Sequence, residues 1–443
     1  MIYFVYLIVV AFSVSMFKAK PGEKVGIMML TSICFDAVVV EPIPVYRRAK
    51  MLMVLALLLS EWKNLKFYYK DIHNYAITKY VSVLLASFVI MCLTSPHILN
   101  GDFQLWRLIV EQPLTYTCLP LYIFCVIKDK DNLDAILKYV YYALIVVTVF
   151  GLLNFITKHS LFMDILGSVS KAGENVYGDT YANMDRFRVQ SMFTLACDYG
   201  NICTMYLILI IYGYSVERLS KIQLIVAVAC CVTGILICGF RTCIVCALMS
   251  IVIFFLVGYK IKSSVKYFLL GTILTFLCYI TIPVVHDKID NAMTAFTASA
   301  DETDGSSIEM RMMQLAAVFF HIEGHELTGC GYGYFLLDMG WGDGGYKTLI
   351  DKDLYGLEGM YLKLLLHQGY VGLFSYLIFI FGIMIYAYKN IDDDRLTAAY
   401  LMSSVAIYFL YANMTGEQSS TYSAMIAIGL GMKLIELQRT GRC

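Results

Sequence analysis

Apolar runs long enough to cross a lipid bilayer recur along the whole chain, and they constrain the fold more than any motif does. A helix rises about 1.5 Å per residue, so about 20 apolar residues cover the hydrocarbon core. Such runs lie near 2–17, 25–40, 75–95, 105–127, 134–156, 190–214, 221–239, 241–258, 265–285, 369–388, 396–414 and 422–437, twelve in all. The run Met51 to Ser60 is too short to cross alone and reads as a half-membrane segment or a thirteenth span. Composition points the same way. With 59% apolar and 15% charged residues and a mean hydropathy of +0.68, the chain has too little polar surface to cover a water-soluble globule of its size. The expected fold class is all-α, one polytopic membrane bundle of about twelve transmembrane helices spanning 1–443.

Ile2 to Phe17 has neither a basic leading region nor a small-residue cleavage site, so it reads as a retained first span. Lys plus Arg and Asp plus Glu both number 34, which gives no charge signal for nucleic acid. Nearly all of the 14 cysteines lie in apolar stretches, among them Cys230, Cys231, Cys238, Cys243 and Cys246, where a thiol acts as a small hydrophobe. No disulfide framework or metal spacing emerges.

Short basic loops face the cytoplasm. Lys128/Lys130, Arg218/Lys221, Lys260/Lys262/Lys266, Lys389/Arg395 and Arg439/Arg442 all fall on one side when every later span is counted. That orientation puts two long segments outside, roughly 157–189 and 286–354. From His286 to Leu354 there are twelve acidic residues, four Lys or Arg and nine glycines, too long a stretch for a plain connector. Its middle, Ser306 to Phe320, has the spacing of an interfacial helix roofing the outer face, and a Gly-rich turn, Thr328 to Phe335, follows. No internal repeat is visible.

Ionisable residues at the ends of spans need a reason, because a charge at a helix centre costs about 2.5 kcal/mol or more on insertion scales. Arg188 precedes the span from Gln190, Arg241 opens the span that follows Phe240, and Glu358 lies before the span from Gly369. All three spans descend from the outside, so their helix N-termini would join Arg188 and Arg241 near the outer interface. Two readings stand: anchors that snorkel to headgroups, or a phosphate site, since arginine's planar fork suits bidentate phosphate contact. Arg107 and Glu111, spaced i,i+4, read as a structural ion pair before a catalytic one, and Asp36 as a buried packing group. His321, Glu323 and His325 form a weak metal pattern.

Several segments across roughly 180–390 resemble the O-antigen polymerase and ligase superfamily, the Wzy-type membrane glycosyltransferases. They are Arg186-Phe-Arg-Val-Gln-Ser-Met-Phe193 followed by Asp198-Tyr-Gly200, Cys238-Gly-Phe-Arg-Thr242, Arg311-Met-Met-Gln-Leu-Ala-Ala-Val-Phe-Phe320, and Gly329-Cys-Gly-Tyr-Gly333. Ligases of the family carry His-Asn, nine residues, then Gly-x-x-Gly. This chain has Glu358-Gly359, nine residues, then Gly369-Tyr-Val-Gly372, so the spacing holds while Glu replaces His.

The resemblance implies a GT-C-like helical bundle in a bacterial plasma membrane with its active site facing outward. It implies inverting transfer of a glycan from an undecaprenyl diphosphate donor to a sugar hydroxyl on a second lipid-linked repeat unit, building an O-antigen, capsule or exopolysaccharide. It implies neither cofactor nor metal, and names membrane lipids, a chain-length regulator and a flippase as partners. In that scheme Arg188, Arg241 and Arg311 bind the donor diphosphate and Glu358 is the catalytic base, already ionised at an ordinary pKa of about 4.3. Read without the resemblance, Glu358 is equally a carboxylate favoured at a helix start. Tyr332, Tyr334, Tyr346 and Trp341 could stack on sugar or serve as interfacial aromatics. A ligase is the nearest alternative. A polysaccharide flippase is the alternative from another class, although a transporter would show related halves and midplane charges.

Overall fold

The computed structural model describes residues 2–35, 49–64, 75–101, 112–162, 188–259, 280, 308–341, 348–357, 359–415 and 419–440. Every regular element among these is helical. The helices used below are α1 (Ile2–Ser15), α2 (Pro21–Cys34), α3 (Ala49–Ser60), α4 (Ala76–Thr94), α5 (Leu119–Val126), α6 (Asn132–Thr157), α7 (Ala196–Ser215), α8 (Lys221–Ile237), α9 (Arg241–Gly258), α10 (Ile308–His321), the single turn α11 (Tyr334–Leu337), α12 (Met360–Lys389), α13 (Arg395–Thr415) and α14 (Ser419–Arg439).

Six of them, α4, α6, α7, α9, α12 and α13, are long and apolar enough to cross a membrane. Val5–Ser15, Leu114–Val126 and Lys221–Ile237 are apolar but shorter. The expected span 265–285 lies outside the described residues except Ile280, so the described residues form a multi-pass helical bundle with six candidate spans, by length and composition, where the sequence predicts twelve. The 12-residue α3 reaches only about 18 Å, short of a crossing. It packs on α1 and α2, and its end is fixed by a buried ion pair, Lys24 Nζ to Glu61 Oε1 at 2.6 Å. Asn64 Nδ2 donates to the other Glu61 oxygen at 2.6 Å, so both carboxylate oxygens are satisfied where an unpaired charge would be costly.

Helix α7 is the axis of the bundle. It is buried along nearly its whole length and packs against α6, α8, α9, α13 and α14. Its mean hydropathy, 1.2, is the lowest of the six together with that of α13, and Asp198, Asn201 and Thr204 would be costly against lipid, so it takes the middle. Start signals are local. Ser220 and Gln223 form a capping box at α8, and Pro21 occupies the first turn of α2, where its missing N–H leaves no bond unmade.

The basic turns do gather at one end. Arg218 bridges Asp131 at 3.0 Å and Asp134 at 2.9 Å, Lys130 donates to Gln438 at 2.6 Å, and Tyr212 meets Thr397 at 2.8 Å beside the start of α13. Lys260, Lys262, Lys266 and Arg442 lie outside the described residues. The opposite end carries a cap built from α10, α11, the segment 348–357 and the first third of α12. Its own apolar cluster includes Val318, Ile322, Leu349, Leu354, Leu362 and Leu366. A helix is found where one was expected at 306–320, as α10, one to two residues displaced.

Candidate functional site

Three helix N-termini, those of α7, α9 and α12, meet at the capped end. The residues preceding α7 and α9, Leu195 and Phe240, are extended and give no side-chain cap. Gly359 before α12 has φ 98 and no side chain to cap with, and Asn413 Oδ1 accepts from Tyr361 N in that first turn at 3.1 Å. The uncapped first turns of α7 and α9 present N–H groups, and all three helices present the positive ends of their dipoles.

Arg188 does not open a helix, as its place before the expected span had suggested. Residues 188–195 run as an irregular segment laid across the ends of α6 and α8, and α7 begins at Ala196. Val189 N donates to Ile237 O at 3.3 Å, Gln190 N to Asn154 Oδ1 at 3.2 Å and Ser191 Oγ to Val147 O at 2.5 Å. These bonds aim Arg188 at the next turn, where its guanidinium carbon lies 4.4 Å from the centroid of the Phe240 ring. Arg241 follows Phe240 as the first residue of α9. Both arginines are half-buried.

The start of α9 is seated on the start of α7 through Cys243 Sγ, which lies 3.6 Å from Cys197 O. There Gly200 is required by space, because a Cβ on it would meet Cys238 Sγ at 2.5 Å and Cys243 Sγ at 2.7 Å. One residue on from Cys197, Asp198 is a buried carboxylate that accepts a bond from Tyr411 Oη of α13 at 3.3 Å. Arg311, on α10, reaches the same end of α13 and donates to Met414 O. Asn413, between Tyr411 and Met414, accepts from Tyr361 N at 3.1 Å and thereby holds the start of α12. The end of α13 is thus the common support for Asp198, Arg311 and the first turn of α12.

Glu358 lies outside the described residues, as do Arg107, Glu111, Asp36, Arg186 and Tyr346. Its neighbour Gly359 has φ 98 and stands against Asn413 O, which a Cβ would approach to 3.1 Å. The nine residues that follow form helix, and the Gly-x-x-Gly then proves to be a break. Gly369 has φ 59 and ψ −153, a conformation nearly confined to glycine, and it kinks α12. The turn after α10 fills that kink. Tyr370 N donates to Glu326 O at 2.8 Å, Val371 N to Leu327 O at 3.1 Å and Cys330 N to Leu366 O at 2.8 Å, so backbone groups freed by the kink are satisfied by the cap.

The Gly329-x-Gly331-x-Gly333 run has φ of 68, 88 and 101. Each glycine also faces a tight neighbour: Gly329 the backbone at Gln368 and Gly369, Gly331 the side chain of Ser95, Gly333 that of His97. Three histidines then hold this strap. His367 Nδ1 lies 3.0 Å from Gly331 O, His97 Nε2 2.8 Å from Asp338 Oδ2, and His321 Nδ1 2.9 Å from Tyr334 Oη, with Asp351 Oδ2 2.8 Å from the other nitrogen of His321. His321 is therefore spent on bracing, whereas Glu323 and His325 are exposed on the turn. Burial, helped by nearby Cys330, Asp338 and Asp351, pushes the Tyr334 phenol up to about 12, so it stays a neutral donor. Of the expected sugar-stacking aromatics, Tyr332 packs on the His367 ring and Trp341 on Phe335 and Tyr355.

Arg188, Arg241 and Arg311 lie at the capped end, where the sequence does not announce the pairing of Asp198, quoted above within Asp198-Tyr-Gly200, with Tyr411 of α13. A carboxylate in the first turn of an otherwise apolar span was the available signal. Compared with known proteins, the chain matches no protein-family model and no curated protein.

Proposed function

We propose that the chain is a membrane glycosyltransferase that polymerises polyprenyl-diphosphate-linked repeat units into a surface polysaccharide. The observation that carries this reading is the gathering of Arg188, Arg241 and Arg311 with three helix N-termini at the end opposite the basic turns. Under the positive-inside rule that end is extracytoplasmic. Guanidinium forks and helix dipoles at a membrane–water boundary are suited to a departing diphosphate, whose charge grows as the bond to the sugar breaks.

In the proposed reaction a sugar hydroxyl of the acceptor attacks the anomeric carbon of the donor. The carbon–oxygen bond to the diphosphate breaks with inversion, the lipid diphosphate leaves against the arginines, and Glu358, beside Gly359 at the start of α12, takes the hydroxyl proton. Asp198, buried one turn into α7 and bonded to Tyr411, positions the α7 and α13 ends that frame the site.

The test is the glycan left by a deletion, together with polymer formed by the purified protein from lipid-linked repeat units. Single repeat units on the final acceptor and a ladder of polymer in the purified reaction support a polymerase. Accumulated lipid-linked polymer would mark a ligase, and repeat units trapped on the cytoplasmic leaflet would mark a flippase.

A further inference from the structure

Helix α10 is amphipathic in the inverted sense. Two of its polar side chains turn inward: Gln314 is fully buried and donates to Tyr355 O at 2.8 Å, and Arg311 donates to Met414 O. Its outward face carries Met312, Met313, Ala316, Phe319 and Phe320, with Phe320 72% and Met312 61% exposed, and no charge among them. A helix resting on a protein with its far side in water shows the reverse pattern.

The face also continues a surface already suited to lipid. Phe374, Ile378, Phe381 and Ile385 form an exposed row along the membrane-crossing part of α12, at the i, i+4, i+7, i+11 spacing of one helix face. Leu327, itself exposed, heads this row, because its carbonyl accepts from Val371 N at the top of the span. Six residues separate Phe320 from Leu327, and the exposed Glu323, His325 and Glu326 between them are what a headgroup layer accepts.

We infer that the outward face of α10 is immersed in the bilayer leaflet at the capped end, with Met312, Met313, Phe319 and Phe320 among the upper acyl chains and the turn 323–326 among the headgroups. The cap is then a lipid-seated lid edge rather than a domain projecting into water, and Arg311 sits at the depth of a lipid headgroup. This inference does not depend on the glycosyltransferase reading.

The experiment uses the full chain, purified and placed in nanodiscs of phosphatidylcholine and phosphatidylglycerol, with Trp62, Trp106 and Trp341 changed to Phe and a single reporter, Phe320→Trp. Phe374→Trp serves as the lipid-facing standard and Glu323→Trp, in the turn placed at the headgroup level, as the one aqueous iodide reaches. Lipids brominated along the acyl chain should quench Trp at 320 nearly as well as at 374, while aqueous iodide should quench it far less than at 323. Strong iodide quenching with no effect of bromine would mean that the face meets water and would overturn the inference. So would quenching by neither, which would mean that a second copy or another protein covers it. Met312→Trp in the chain with its native tryptophans, read as the difference from the parent, gives the same decision if the substituted background does not fold.

Discussion

The guanidinium of Arg188 lies over the ring of Phe240, 4.4 Å from its centroid, and Phe240 is the residue immediately before Arg241. One aromatic ring therefore couples the irregular 188–195 segment to the first turn of α9. A cation over a ring contributes about 0.5–2 kcal/mol, more when water is excluded. Phe240→Leu keeps the apolar bulk and removes the π face, so the KM for lipid-linked donor should rise by about 2- to 30-fold, the range that this energy spans. An unchanged KM and turnover would reduce Phe240 to a spacer.

Arg241 is expected to bind the donor diphosphate directly. Arg241→Ala should abolish chain extension while the protein still inserts and accumulates, and Arg241→Lys should recover little because the planar fork is gone. Full-length polymer from cells carrying the Ala variant would return Arg241 to the role of a headgroup anchor.

Gly369 is where the cap locks into the bundle. An alanine there would take a backbone conformation that side chains disfavour by about 1–3 kcal/mol. Its Cβ would also press on Glu326 O and to within 2.6 Å of Gly329 N, and overpacking adds about 1–3 kcal/mol. Gly369→Ala should lower the thermal midpoint of the purified protein by many degrees, whereas Gly324→Ala, also at positive φ (81) but with nothing within 4 Å, should lower it less. Equal midpoints for the two variants would show that the kink is not a structural lock.

Long apolar runs made the helices legible, and α4, α6, α8, α9 and α13 begin and end close to the runs that announced them, while α7 starts at Ala196, after the irregular 188–195 segment. What the runs hid was continuity. Helix α12 starts at Met360, nine residues before the expected span, because Gly369 bends the helix without ending it. Helix α3 is real but short, held by Lys24 and Glu61, two charges that looked unrelated at 37 residues' separation. At the site, the three arginines could be placed at one end from span counting alone. Asp198, Tyr411 and the bracing of His321 by Tyr334 and Asp351 could not, because their partners come from distant helices and no local pattern reports such pairings.

Sidedness can be tested at the turn after α10. Cys330 is half-buried, its Sγ 3.2 Å from His321 O, and burial, with Asp338 nearby, pushes its thiol up to about 11. Since the thiolate is the reacting form, its labelling should be slow at neutral pH and should quicken about tenfold per pH unit up to that value. Exposed Glu323, changed to Cys in a chain carrying Cys330→Ser, should instead react promptly with an impermeant maleimide in spheroplasts. Labelling of Glu323→Cys only after lysis would reverse the orientation.

Glu358 is the expected base for the acceptor hydroxyl. In the sequence it falls between Leu357, which packs in the cap, and Gly359, whose positive φ leads into the first turn of α12. Glu358→Gln preserves size and most hydrogen bonding but cannot take a proton, so it should lose the roughly 10²–10⁴-fold that a positioned base contributes. Glu358→His should retain measurable activity, with a pH profile moved towards the imidazole range near 6.5, because imidazole accepts the same proton only when neutral. The deciding measurement is polymer formed per minute from purified lipid-linked repeat units at several pH values. If Glu358→Gln matches the parent at every pH, the carboxylate only stabilises the α12 dipole, and the proton must leave through another acidic group of the capped end, with exposed Glu323 and Glu326 and buried Asp198 the next to be changed.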